Sequence, residues 1–229
     1  MELILDIDGV LVDTDLSYTV AAIRAARDLG ARERTPEDVF RLRSGGGFND
    51  DYDIALEFLR RDGIIVPRQR VIDIFQEHYL GSGWREGTWD GLISAERLLP
   101  SPATLDWIRG NDYSFFTGRP RDEALYVIKR LGLSAEAGTL VGMHDVEKGK
   151  PDPAGLRLIL RNESYRAPLA CGDTLDDLRA ARAAAIPFVG ILPPGPVARG
   201  LMEQAFRRES IEYVPSLDDL PALVGRKTV

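Results

Sequence analysis

The chain has 229 residues, 44% of them hydrophobic and 28% charged, with a formal net charge of −7 at pH 7. That suffices for one large domain or a core plus an insert, and with no Lys/Arg block it speaks against a nucleic-acid partner, which expects a basic face. A single cysteine, Cys171, rules out an internal disulfide and agrees with a reducing, cytoplasmic setting; no uncharged apolar run suggests a membrane span, and Glu2, Asp6 and Asp8 interrupt any signal-peptide pattern.

The first apolar run, Leu3-Ile4-Leu5, predicts a buried strand reaching Ile7, with the turn marked by Gly9. Asp6 and Asp8 close that strand. Residues two apart on a strand face the same side, roughly 6–7 Å from each other. Two carboxylates so placed suit a division of labour, one attacking an electrophile and one handling protons. A strand ending in a solvated acidic turn is the competing reading.

Next come four segments with apolar residues at helical spacing: Leu16–Leu29, Pro36–Leu42, Asn49–Arg61 and Pro67–Leu80. Thr35-Pro36-Glu37-Asp38 is a helix start, with a Thr cap, Pro in the first turn and acids facing the dipole. The loop Ser44-Gly45-Gly46-Gly47-Phe48-Asn49-Asp50 is not a P-loop, because no Gly-Lys-Ser/Thr follows. Its glycines suit close approach to a substrate, with Phe48 and Asn49 as contacts, or simply a flexible connection. Trp84 to Trp89 suits a return linker.

From Ser101 the pattern alternates. Helices are expected over Ala103–Ile108, Arg121–Leu131, Pro153–Leu160 and Leu175–Ala184. Strands are expected over Tyr113–Phe116, Thr139–Gly142, Pro168–Cys171 and Pro187–Ile191, with an edge strand at Ile211–Val214 and a helix at Leu217–Leu223. Repeated strand–helix units predict a mainly parallel sheet with right-handed crossovers. The fold class is therefore α/β, a Rossmann-like three-layer core over 1–13 and 101–229, with a helical domain inserted over 14–100.

Ligands of such sheets bind beyond the C-terminal strand ends, near the point where strand order reverses. Reactive residues do follow the other predicted strands. Thr117-Gly118-Arg119 offers a hydroxyl, a backbone amide and a guanidinium to a phosphate oxygen, or is an ordinary capped turn. Lys150 stands on a loop stiffened by Pro151 and Pro153, suited to neutralising phosphate charge. Gly172-Asp173-Thr174-Leu175-Asp176-Asp177 brings carboxylates to a helix start. Asp6, Asp173 and a backbone carbonyl make a half-shell for a hard cation such as Mg²⁺; a helix N-terminus with acids in its first turn is the alternative.

Taken together, the motifs resemble the haloacid dehalogenase superfamily in its phosphatase branch, from the N-terminus to about residue 190. Asp6-Ile7-Asp8-Gly9-Val10 corresponds to its first motif, Thr117-Gly118-Arg119 to the second, Lys150-Pro151-Asp152-Pro153 to the third, and Gly172-Asp173 with Asp177 to the fourth. The resemblance implies Asp6 as nucleophile, Asp8 as general acid/base with its carbonyl on the metal, and Thr117 and Lys150 holding the phosphoryl group. It implies Mg²⁺ bound by Asp6, Asp8, Asp173 and Asp177. Gly9, Gly118, Arg119 and Asn49 are the candidate substrate contacts. An aspartate at Asp8, which the family's dehalogenases lack, favours phosphate chemistry. One departure stands out: helically capped phosphatases often carry Asn after the second-motif Thr or Ser, where this chain has Gly118-Arg119.

The implied activity is Mg²⁺-dependent hydrolysis of a small phosphate monoester through an aspartyl-phosphate, with phosphoglycolate as the default substrate. A phosphomutase, a histidinol-phosphate or sugar-phosphate phosphatase, and a non-enzymatic interaction protein on the same fold are the alternatives. The expected partner is a small phosphorylated metabolite, not nucleic acid or membrane, in a monomer or homodimer. An EF-hand is excluded because Gly9 comes too early for its loop.

Overall fold

The computed structural model describes residues 1–44, 50–135, 139–161 and 167–227. In chain order the elements begin with β1 (Glu2–Leu5), β2 (Val12–Asp13), α1 (Tyr18–Asp28), α2 (Pro36–Ser44), α3 (Asp51–Arg61) and α4 (Arg68–Tyr79). There follow β3 (Arg97–Leu98), α5 (Pro102–Arg109), β4 (Asp112–Phe116), α6 (Arg121–Arg130), β5 (Leu140–Val141), α7 (Ala154–Ile159) and β6 (Pro168–Gly172). The chain ends with α8 (Leu175–Ala183), β7 (Phe188–Ile191), α9 (Pro196–Arg208), β8 (Tyr213–Val214) and α10 (Leu220–Lys227). It divides into two units, Met1–Asp13 with Leu98–Val229, and Thr14–Arg97.

The first unit is built on a six-stranded sheet in the order β5-β4-β1-β6-β7-β8, with every neighbouring pair parallel. Counted in chain order within this sheet, that is 3-2-1-4-5-6, the doubly wound arrangement. The β1 side chains alternate between two cores, as the strand period requires. Leu3 and Leu5 pack with Ile108, Phe115, Val127 and Leu131. Ile4 packs on the opposite face with Phe116, Val141, Leu156 and Ala170. Helices thus cover both faces, and Leu3-Ile4-Leu5 of β1 reads as unbroken apolar sequence for that reason. Burial of each such side chain contributes roughly 1.5–3 kcal/mol. The expected Rossmann-like α/β core is what the chain forms.

Two local expectations need correction. The first strand ends at Leu5 rather than Ile7. The Ile7 carbonyl accepts from the amides of Leu11 (2.8 Å) and Val12 (3.1 Å), which turns the chain, and Gly9 takes φ +70° within that turn. Asp6 and Asp8 therefore stand in the loop beyond the strand. The helix α9 was not anticipated at all. Its start, Leu192-Pro193-Pro194-Gly195-Pro196, is rich in Pro and Gly, and Phe206 is its single buried residue, although Val197, Leu201, Ala205 and Phe206 recur at helical spacing.

The second unit is helical. Helix α1 packs against α3 and α4. Tyr18 stacks on Tyr79 with centroids 4.3 Å apart, and Phe75 meets Tyr52 edge-on at 4.8 Å. Glu96 is buried here and accepts hydrogen bonds from Ser17 Oγ (2.7 Å) and the Tyr79 hydroxyl (3.1 Å). The glycine loop 45–49, including the candidate contact Asn49, lies outside the described residues. Among the described residues, no helix is long and apolar enough to cross a membrane.

Candidate active site

Three adjacent parallel strands, β4, β1 and β6, carry Thr117, Asp6 and Asp173 just beyond their C-terminal ends, and Lys150 comes from the segment between β5 and α7. Leu5 registers with Phe115 on one side and Cys171 on the other. Asp6 follows Leu5, Thr117 follows β4, and Asp173 follows β6. Strand order reverses at β1 and β6, so Asp6 and Asp173 flank the switch point where this fold leaves a crevice. The Asp6 amide donates to the Cys171 carbonyl at 2.9 Å, tying the Asp6 backbone to that neighbour.

Carboxylate oxygens of Asp6, Asp173 and Asp177 lie within 4.8 Å of one another. Lys150 Nζ stands 2.7 Å from Asp6 Oδ1 and donates to Asp177 Oδ1 at 2.6 Å, while its ammonium lies 5.1 Å from the centre of the Phe116 ring. The Lys150–Pro151 peptide bond is cis. Gly9 is buried, and a β-carbon on it would stand 2.0 Å from Asp173 Oδ2; a β-carbon on Gly172 would stand 2.4 Å from the Asp177 Cβ. Both glycines are what lets the carboxylates crowd together.

Asp177 serves two functions at once. Its Oδ2 accepts from the Thr174 amide (3.0 Å) and hydroxyl (2.6 Å), while the Asp177 amide donates back to Thr174 Oγ1 at 3.2 Å. This capping box starts α8 and leaves Oδ1 to Lys150. The helix-start reading and the site reading of this segment are both satisfied, one oxygen each.

The electrostatics follow from that crowding. Burial raises Asp6 to about 7, Lys150 pulls the other way, and Asp177 and Asp8 add to the rise. Asp173 is raised well above its ordinary value by burial, with Asp6 and Asp177 adding to it. Burial alone would depress Lys150, but the Asp177 and Asp6 carboxylates reverse this and hold its pKa above the usual lysine range. Behind the site, burial pushes the Cys171 thiol up to about 12, so it is a packed apolar group and no nucleophile.

A divalent cation fits this donor set. These three side chains offer hard carboxylate oxygens, and burial and mutual repulsion raise the pKa of Asp6 and Asp173, a repulsion that a bound cation would relieve.

Other assigned residues stand as follows. Thr117 is buried at the end of β4, with its Oγ1 accepting from the Arg119 amide at 3.2 Å. Gly118 is exposed, with open space where a β-carbon would stand. Two of the assigned substrate contacts do something else. The Gly9 amide donates to the Val12 carbonyl at 2.9 Å, so it is taken up by the turn instead of facing a phosphate. The Arg119 side chain is fully buried, with Nε 2.7 Å and Nη2 2.6 Å from Asp8 Oδ1; it faces Asp8 rather than open space. Sequence reasoning missed both the Arg119–Asp8 pair and the Phe116 ring beside Lys150. The only local hint of the former was the unusual Arg at its position.

Comparison with known proteins agrees with this geometry. The model of the haloacid dehalogenase-like hydrolases matches residues 3–185. The chain belongs to this family and is an enzyme of its hydrolase class. It is 28% identical over 195 residues to a phosphoglycolate phosphatase of Mesorhizobium japonicum, covering 82% of this chain and 81% of that protein. It is also 28% identical over 211 residues to an imidazoleglycerol-phosphate dehydratase of Phytophthora nicotianae, covering 88% of this chain but spanning only 45% of that protein's length. Among solved structures, a phosphatase from Thermococcus thioreducens superimposes with a TM-score of 0.67 at 25% identity, covering 90% of this chain and 99% of that one. A hydrolase from Pseudomonas syringae gives 0.71 at 22% identity with 98% of each chain covered, a likeness of fold.

Proposed function

We propose that this chain is a phosphatase that hydrolyses a small phosphate monoester, with Mg²⁺ as cofactor and an aspartyl-phosphate on Asp6 as intermediate. The observation that carries the reading is the convergence of Lys150, Asp173 and Asp177 on Asp6 at the switch point of the sheet. The phosphatase relatives, each matched over most of its length, support the same class of reaction.

In this reading the carboxylates of Asp6, Asp173 and Asp177, with the Asp8 carbonyl, would hold Mg²⁺, which would supply positive charge against the phosphate. Asp6 attacks phosphorus in line, and the bond to the leaving oxygen breaks. Asp8 donates a proton to that oxygen, then takes one from the water that hydrolyses the acyl phosphate. Lys150 and the Thr117 hydroxyl, with the Gly118 amide, orient the transferring oxygens and offset their charge. Phosphoglycolate is the first substrate to try, given the relatives; histidinol phosphate, sugar phosphates and nucleotides are the next.

The test is phosphate release from a panel of phosphorylated metabolites with Mg²⁺, repeated with Asp6→Asn. Turnover that vanishes in the variant supports the reading. Near-normal release by Asp6→Asn would refute it, and a retained diphosphorylated intermediate in place of free phosphate would identify a mutase.

A further inference from the structure

A buried guanidinium is uncommon and needs a reason. Arg119 has one: both Nε, at 2.7 Å, and Nη2, at 2.6 Å, converge on a single oxygen of Asp8, Oδ1. The Arg119 side chain is fully enclosed while the Asp8 side chain keeps 33% of its surface exposed. One partner is therefore anchored and the other faces outward. The anchor is rigid at its root. The Met143 amide donates to the Arg119 carbonyl at 2.8 Å, and the Arg119 amide donates to Thr117 Oγ1 at 3.2 Å. Gly142 allows that approach, since a β-carbon there would stand 2.8 Å from the Arg119 carbonyl oxygen.

A guanidinium has donors only and keeps its proton in proteins. An oxygen that accepts two of its N–H groups is the poor place for a further proton. Any proton carried by Asp8 then sits on Oδ2, and the plane of the carboxyl is set by the guanidinium.

We infer that Arg119 is a positioning residue: it selects Oδ2 as the oxygen of Asp8 that exchanges protons with the leaving group, and fixes the direction in which that oxygen points. This rests on the proposed role of Asp8 as acid and base. In the step concerned, a bond forms between Asp6 and phosphorus and the bond from phosphorus to the leaving oxygen breaks. The proton on Asp8 Oδ2 moves to that oxygen, leaving Asp8 as carboxylate. In this reading Arg119 acts through Asp8.

The test uses the full chain with Mg²⁺ and the variants Arg119→Lys and Arg119→Gln. Substrates are a series from 4-nitrophenyl phosphate, whose leaving group needs no proton, through phenyl phosphate to an alkyl phosphate, whose leaving group does. With proton delivery impaired, kcat/KM for the alkyl ester is expected to fall about 10²-fold, near the low end of acid–base contributions, with only about a few-fold loss on 4-nitrophenyl phosphate. A uniform loss along the series overturns the inference. In an Asp8→Asn background the Arg119 substitutions should leave the leaving-group dependence unchanged, because no carboxyl is left to deliver the proton; a further steepening there overturns it too. Should both variants fail to fold, the Arg119 Nε–H exchange rate in the otherwise unaltered protein decides. Slow exchange that Asp8→Asn accelerates supports the contact, and a rate indifferent to Asp8→Asn rejects it. Turnover surviving in Asp6→Asn, by contrast, defeats the proposed chemistry itself and is read separately.

Discussion

Gly9 lies so close to Asp173 that a β-carbon on Gly9 would stand 2.0 Å from Asp173 Oδ2. The contact joins the loop after the first strand to the loop after the fourth strand of the sheet in chain order. It also carries a backbone constraint, because Gly9 holds φ +70°, where a side chain is strained.

Gly9→Ala should therefore fail twice, through strain and through displacement of Asp173. Denaturant unfolding should show a loss of about 2–3 kcal/mol, the usual scale of a strained backbone position plus a steric clash. The gain in stability on adding Mg²⁺ should shrink in parallel, since one ligand carboxylate has moved. A variant that matches the parent both with and without Mg²⁺ would contradict this.

Lys150→Met tests the cation between Asp6 and Asp177. The methionine chain can lie against Phe116, but two buried carboxylates lose their shared partner. In EDTA, urea unfolding should show a loss of about 3–5 kcal/mol, as for a broken buried ion pair. Turnover should drop by roughly 10²-fold or more, the scale of one removed electrostatic stabiliser. Unchanged turnover would remove Lys150 from the chemistry.

The pH dependence has a definite sign. Asp6 rises from 3.8 to about 7 on folding, and Asp173 moves the same way. Between those pH values the folded chain holds a proton that the unfolded chain has released, so stability from these groups falls as pH rises from about 4 to about 7. For Asp6 alone the span corresponds to about 4 kcal/mol. Mg²⁺ competes with protons for the same oxygens. Melting scans should thus show a larger Mg²⁺-induced rise at pH 8 than at pH 5.5; the reverse order would rule out the acidic cluster as its binding place.

Glu96 belongs to the helical unit and should matter for its stability. Glu96→Gln keeps the shape but weakens acceptance from Ser17 and Tyr79, at a cost of about 1–2 kcal/mol. Glu96→Ala removes the buried acceptor that both hydroxyls share and should cost about 3 kcal/mol or more. The two variants compared by thermal melting separate lost charge from lost bonding, and equal melting temperatures for both would deny the network any role.

Much of the fold was legible in the letters because its signals are local. The apolar run at Leu3–Leu5 and the alternation after Ser101 stand where the structure has strands and helices. Asp6, Thr117 and Asp173 could be picked out as strand-end residues, since strand ends are marked by their own turns, and Lys150 by the prolines that stiffen its loop. Helix α9 was passed over although Val197, Leu201, Ala205 and Phe206 recur at helical spacing, because its start is rich in Pro and Gly and only Phe206 along it is buried.

The sequence by itself determined which residues reach the loops after the parallel strands, because alternation, turns and caps depend on neighbours a few positions away. Only the tertiary structure decided which of those residues meet. That Lys150 stands between Asp6 and Asp177, that Gly9 admits Asp173, and that Arg119 clamps Asp8 across 111 positions of chain all follow from strand order and register. Those are set by hydrogen bonding and packing between segments distant in sequence, which no local pattern encodes.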